Sequence, residues 1–123
     1  MSPNILLQIE KWIKESDLLN EREITKFIAK IRSLKKGKFI LPGSIMSSIN
    51  LSMDKAYRIF ELLKEKGIIV ENYELYCHEC DKYNVGRYEH YTDIPETVEC
   101  GWCRERLERK SNVIVIYKVI KDD

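Results

Sequence analysis

The chain is short of glycine and proline, with five and three residues in 123, which excludes a collagen-like or low-complexity chain. It has almost no excess charge. Its 21 basic and 20 acidic residues leave a net +1, which excludes an overtly basic nucleic-acid coat protein and a polyacidic tail. It has no long apolar run either. The longest, residues 113–117, falls far short of the roughly 20 residues a helix needs to span a bilayer. Met1, Ser2, Pro3 and Asn4 carry neither the basic stretch nor the apolar core of an export signal. The first 76 residues contain no cysteine. The expectation is a soluble cytoplasmic protein that engages no membrane. What remains is 44% hydrophobic and 33% charged, enough for one compact unit or two very small ones with a well-solvated surface.

The four cysteines fall in two pairs, Cys77-His78-Glu79-Cys80 and Cys100-Gly101-Trp102-Cys103, with nineteen residues between them. A C-x-x-C turn presents two thiolates from one knuckle, and two knuckles complete a tetrahedral shell with no position left for water. Two disulfides would need an oxidising compartment. A redox C-x-x-C normally stands alone at a strand-to-helix turn. An iron–sulfur cluster takes four thiolates too, but paired knuckles suit zinc better. One structural Zn²⁺ on Cys77, Cys80, Cys100 and Cys103 is therefore expected. His78 sits between two ligands and should point outward, and His90 is an ordinary residue of the same segment.

Residues 73–107 have the layout of a zinc ribbon. Residues 73–76 lead into the first knuckle, residues 86–92 alternate like a strand, residues 93–96 form a turn, and residues 97–99 run into the second knuckle.

In the first half, Ser2-Pro3 reads as a cap with proline at the first helical position. Ile5, Leu6, Ile9, Trp12 and Ile13 then recur at helical spacing. Asn20 and Glu23 approximate a capping box. Behind them Ile24, Phe27, Ile28, Ile31 and Leu34 mark a second helix stopped near Gly37. Residues 39–41 suggest a short strand. Pro42 opens a short helix, and Ser52 caps a longer one that buries Ala56, Ile59, Phe60 and Leu63 and ends at Gly67. Residues 68–70 begin a strand.

This order is that of a winged helix-turn-helix. Leu41-Pro42-Gly43-Ser44, Asn50-Leu51-Ser52 and residues 62–69 resemble the winged-helix domains of GntR-type bacterial regulators over about 30 residues. Ser52 matches that family's turn serine, whereas Met53 and Tyr57 stand where it carries arginines that contact DNA. The combination of winged helix and four-cysteine ribbon also resembles, in order of parts only, the archaeal transcription factor E alpha-subunit family.

Residues 113–120 are rich in β-branched side chains and are expected to pair antiparallel with residues 68–75. The overall expectation is an α+β fold: a winged helix-turn-helix over 1–72, a zinc ribbon over 73–112 inserted in or following the wing, and a returning wing strand over 113–123.

Charge divides by halves. Residues 1–70 hold 13 basic and 8 acidic residues, and residues 71–123 hold 8 and 12. Phosphate is therefore expected at the first half, through Lys55, Tyr57, Arg58 and Lys64 on the longer helix and Lys35, Lys36 and Lys38 before it. Arg104, Arg106, Arg109 and Lys110 interleave with Glu105 and Glu108 and read as a helical turn with internal charge pairing.

Two functions follow. The first is a non-enzymatic DNA-binding transcription regulator on duplex DNA, as a homodimer joined through the Trp12 helix. The second is an adaptor that docks a protein partner on the acidic ribbon. No nucleophile–base set, phosphate loop or open metal position supports an enzyme.

Overall fold

The computed structural model describes the backbone of residues 1–123 and every side chain outside residues 82–85. It is a mixed α+β chain with antiparallel sheets. Helix α1 (Pro3–Ser16) starts where the Ser2 hydroxyl accepts the Ile5 N–H at 3.3 Å and Pro3 supplies a preset φ. Helix α2 (Glu21–Ile31) opens on a complete capping box. The Asn20 side chain accepts the Glu23 N–H at 2.8 Å, and the Glu23 carboxylate accepts the Asn20 N–H at 3.0 Å.

The helix expected to run on to Leu34 ends instead at Ile31. The Leu34 N–H turns back to the Ile31 carbonyl at 3.0 Å, and Gly37, at φ +94°, donates to the Val119 carbonyl at 2.8 Å.

Strand β1 (Phe39–Ile40) follows, then α3 (Pro42–Ile49), and α4 (Met53–Glu65), whose first turn is capped by the Ser52 hydroxyl. Between α3 and α4, Asn50 takes a left-handed φ of 54° and Leu51 is buried, so the connection is one tight turn.

Strand β2 (Ile69–Cys77), β3 (Lys82–Tyr88) and β6 (Val113–Val119) join β1 in one sheet of order β1-β6-β2-β3. Phe39 faces Lys118 and Ile40 faces Tyr117. Tyr73 faces Tyr88 and Leu75 faces Gly86, with a register shift between Leu75 and Cys77. The Ile120 N–H donates to the Ile68 carbonyl, and the Asn112 amide donates to the Tyr76 carbonyl. Those bonds run in opposite chain senses, so β6 returns antiparallel to β2.

Strands β4 (Thr97–Glu99) and β5 (Arg106–Glu108) form a separate hairpin, followed by the single turn α5 (Arg109–Asn112). The strand expected through residue 92 stops at Tyr88. Residues 91–93 form a 3-10 turn in which the Asp93 N–H bonds to the His90 carbonyl and the Ile94 N–H to the Tyr91 carbonyl. The turn leads into Ile94, which is 1% exposed in the core.

The chain divides into two compact units. One comprises residues 1–70 and 117–123, and the other residues 71–116. The first is packed around Phe27, Phe60 and Tyr117, with Phe60 stacked on Tyr117 at 4.9 Å and Phe27 at 6.4 Å from Phe60. Ile5, Ile9 and Ile13 from α1 and Ile24 and Ile31 from α2 are buried in the same unit. The second unit has its own small core of Leu75, Cys77, Ile94, Cys100 and Leu107. Among the described residues, no helix is long and apolar enough to cross a membrane.

Candidate metal centre

The second unit brings its cysteines together from its two hairpins. Cys77 closes β2, and the chain then turns through residues 78–81, with Asp81 at a left-handed φ of 55°. The Tyr76 hydroxyl donates to the Asp81 carboxylate and braces that turn. In the second knuckle the Cys100 N–H donates to the Glu105 carbonyl, and the Arg104 N–H donates to the Cys100 carbonyl, both at 2.8 Å. Arg104, at φ 66°, then sends the chain into β5. Val98 faces Leu107 and Glu99 faces Arg106 across the hairpin, so Leu107, 2% exposed, pins the knuckle to the core.

The four sulfurs lie within 4.8 Å of one another. Cys77 Sγ is 3.6 Å from Cys103 Sγ, and Cys80 Sγ is 3.7 Å from Cys100 Sγ. A tetrahedron with metal–sulfur bonds of about 2.3 Å has an edge of about 3.8 Å. The cluster is thus sized for a single ion. A four-iron cluster, with one thiolate on each iron, spreads its sulfurs wider. All four cysteines are unbridged thiols. Cys77 and Cys100 are buried, Cys80 is half-buried and Cys103 is exposed.

The thiols are unequal. The backbone N–H of Cys103, opposed by desolvation and helped by that of Trp102, brings Cys100 down to about 7. Desolvation, together with hydrogen bonds shared with the other three thiols, pushes Cys80 up to about 12. Four crowded thiols cannot all ionise without a cation among them. A bound metal supplies the missing charge and converts them to thiolates.

His78 and His90 are both exposed, and His78 packs edge-on against Tyr76 at 4.7 Å between ring centroids. Neither joins the sulfur cluster.

The cations anticipated as phosphate contacts fall into two groups. Those on α4 are engaged. Lys55 lies 3.0 Å from the Glu23 carboxylate, Arg58 3.1 Å from Asp54, and Lys64 3.2 Å from Glu61. Tyr57 is 38% exposed and lines a groove of about 390 Å³ with Leu18 and Leu62, rimmed by Asp54, Arg58, Glu61 and Glu65. The side chains of Lys35, Lys36 and Lys38, by contrast, are exposed and their ammonium groups have no carboxylate at ion-pair distance among the described residues, although Asp122 accepts the Lys36 backbone N–H at 2.9 Å.

A second basic stripe went unrecognised in the sequence. Arg22, Lys26 and Lys30 recur at i, i+4 and i+8 on α2, also without carboxylate partners among the described residues. Their spacing was the available signal, masked by the apolar residues interleaved with it.

Trp12 is half-buried, with the Lys66 ammonium 5.4 Å from its ring centroid. The segment from Arg104 to Lys110 is not the charge-paired helical turn expected. It is a left-handed residue, a strand and the start of a short helix, and none of its four cations has a carboxylate at ion-pair distance among the described residues. Strand geometry separates the residues that an i, i+4 helix would have paired.

Comparison with protein-family models, with curated proteins and with solved structures finds no match for this chain.

Proposed function

We propose that the protein is a non-enzymatic, winged-helix DNA-binding protein, a transcription regulator whose wing is built around one structural Zn²⁺. The observation that carries this reading is the order of parts. Helix α2, strand β1, helices α3 and α4 joined by a tight turn, and strands β2 and β6 in the sheet order β1-β6-β2 stand in the order that a winged helix has, which supports the reading. Residues 78–112 lie between β2 and β6, where a wing loop belongs. Four thiolates complete the shell of a zinc ion, so the metal serves structure and has no free position at which to activate water.

The phosphate-binding charge in this reading comes from Lys35, Lys36, Lys38 and the α2 stripe of Arg22, Lys26 and Lys30 rather than from α4. A duplex-affinity titration across salt tests it. Log affinity should fall linearly with log salt, and each lost phosphate contact should flatten the slope by about 0.9. Negligible duplex affinity at physiological salt refutes the reading.

One observation favours a second reading, an adaptor that docks a protein partner. The exposed side of α4 pairs its own cations and lines an apolar groove beside three carboxylates, a surface that phosphate avoids. Partner binding that survives removal of the Lys35, Lys36 and Lys38 charges but is lost on Tyr57→Ala would support this reading over the first.

A further inference from the structure

The second unit, acidic as a whole, contains a cleft of the opposite character. It measures about 340 Å³ and is lined by Arg106, Arg109 and Lys110 together with Tyr91 and Thr97. Two carboxylates, Glu96 and Glu108, share the lining, so the cleft carries a formal +1. Neither carboxylate reaches ion-pair distance of the three cations among the described residues. The cations are therefore not paired at contact, although Glu99 stands opposite Arg106 on the same outer face of the hairpin.

Arg109 is held rigidly. Its guanidinium donates to the Ile94 carbonyl at 3.1 Å, lies 5.2 Å from the Tyr91 ring centroid, and its backbone N–H donates to the Glu96 carbonyl. Arg106 and Thr97 project from the outer face of the β4–β5 hairpin, because Val98 and Leu107 occupy the inner one. Tyr91 is 38% exposed, with Arg109 against its ring and Tyr73 in a T-shaped contact at 5.9 Å, and Trp102, in the second knuckle of the same unit, is 68% exposed.

We propose that this cleft binds the phosphodiester backbone of a single-stranded nucleic acid, with Arg106 and Lys110 on phosphate and Tyr91 offering a face to a base. A cleft of net +1 suits a diester, which carries one negative charge. The two carboxylates repel the second charge of a phosphate monoester. Guanidinium forks match phosphate oxygens, and exposed aromatic rings beside cations are the usual platform for unpaired bases. A duplex keeps its base faces stacked and would leave Tyr91 unused. The cleft also depends on the metal centre, since β5 is held by the knuckle bonds between Cys100, Arg104 and Glu105.

The inference goes beyond the duplex reading. Its variants lie in residues 71–116, and loss of duplex affinity in Lys36→Gln bears on that reading alone.

The test is fluorescence anisotropy of a short labelled oligothymidylate titrated with the full, zinc-loaded chain over a range of salt. Arg106→Gln and Lys110→Gln should each weaken binding and flatten the salt slope by about 0.7. Tyr91→Leu should weaken binding about fivefold or more. Glu96→Gln should strengthen it, a gain that no folding defect produces. Unchanged affinity in Arg106→Gln and Lys110→Gln, or a neutral or weaker Glu96→Gln, overturns the proposal. Displacement of the oligonucleotide by polyglutamate as well as by unlabelled oligothymidylate at equal charge overturns it in favour of an acidic peptide. Equal displacement by inorganic phosphate reassigns the cleft to free phosphate.

Discussion

Lys55 reaches from the first turn of α4 to Glu23 in the capping box of α2, 3.0 Å from Nζ to Oε1. One carboxylate thus accepts the Asn20 N–H that starts α2 and the ammonium of a helix 32 residues further along. Glu23 is the less exposed partner, at 16% against 41% for Lys55. The pair joins two helices of the first unit and gives Lys55 a carboxylate that phosphate would have to displace.

The pH dependence of stability should carry the mark of this carboxylate. The Asn20 backbone N–H, and secondarily Lys55, hold Glu23 below its ordinary value. A carboxyl whose folded value is depressed adds stability above its unfolded value and loses it as pH falls through the folded one. Glu23→Gln keeps an acceptor for the cap but should abolish that acid-side contribution. Lys55→Ala should cost only about 0.2–1 kcal/mol at neutral pH, the usual range for a partly exposed pair. Denaturant melts of both variants between pH 3 and pH 7 check this, and an acid limb unchanged in Glu23→Gln contradicts it.

Metal removal should act on the second unit. Structural zinc in small peptides contributes on the order of 10–16 kcal/mol apparent at neutral pH, comparable with the whole stability of a small domain. Among the described residues its core cluster is small, and Cys77 and Cys100 of the sulfur cluster are part of it. Purified protein should hold one zinc per chain, and a strong chelator should abolish the near-ultraviolet dichroism of Trp102 and its tyrosine neighbours. Cys77→Ser and Cys100→Ser should be the most damaging single changes, because each also places a hydroxyl in the core. Elemental analysis showing iron, or full dichroism after chelation, contradicts the zinc reading.

Tyr117 should be the most costly large-to-small site in the first unit. It is 1% exposed and stacked on Phe60, and it lies on β6, the strand between β1 and β2. Tyr117→Ala should destabilise by about 3–5 kcal/mol, the range for burying a cavity where an aromatic ring stood. Tyr117→Phe keeps the ring and should lose much less. A shorter test of the same point is deletion of residues 113–123, which removes the partner of β1 and should unfold the first unit as well as the second. Retention of a cooperative melt with near-native helical signal after that deletion contradicts it.

Much of this architecture was legible in local sequence chemistry. Ser2, Asn20 and Ser52 announced three helix starts because a cap is a short-range hydrogen bond, and the cysteine knuckles announced the sulfur cluster because two C-x-x-C turns fix their own geometry. The return of residues 113–119 beside β2 followed from the apolarity of that strand. What escaped was set by long-range partners. Past α2 the chain turns back at Leu34 and Gly37 bonds to Val119, far away in sequence, and the 3-10 turn after His90 has no local motif to mark it. Charge pairing was hidden for the same reason. The pairing of Lys55 is created by a contact across 32 residues, and Arg106, on a strand, stands opposite Glu99 rather than beside an i, i+4 partner.

The last prediction separates the two readings of function by the same distinction between engaged and free cations. If duplex DNA is the ligand, affinity should come from cations not already satisfied by carboxylates. Lys36→Ala and Lys38→Ala should each weaken duplex binding and flatten the salt slope by about 0.9, and Arg22→Ala and Lys26→Ala should do likewise. Lys55→Ala and Arg58→Ala should change affinity less, because each has a carboxylate within about 3 Å that must be given up before phosphate is gained. Tyr57→Ala should be nearly neutral for DNA, since it lies in the acid-rimmed groove. The adaptor reading inverts every line: no slope to flatten, no cost at Lys36 or Lys38, and loss of a partner at Tyr57. A set of variants in which Tyr57→Ala is the most damaging and the lysine changes are silent would transfer the protein from the first reading to the second, because a groove with apolar walls and an acidic rim recognises a basic protein surface and not a phosphate backbone.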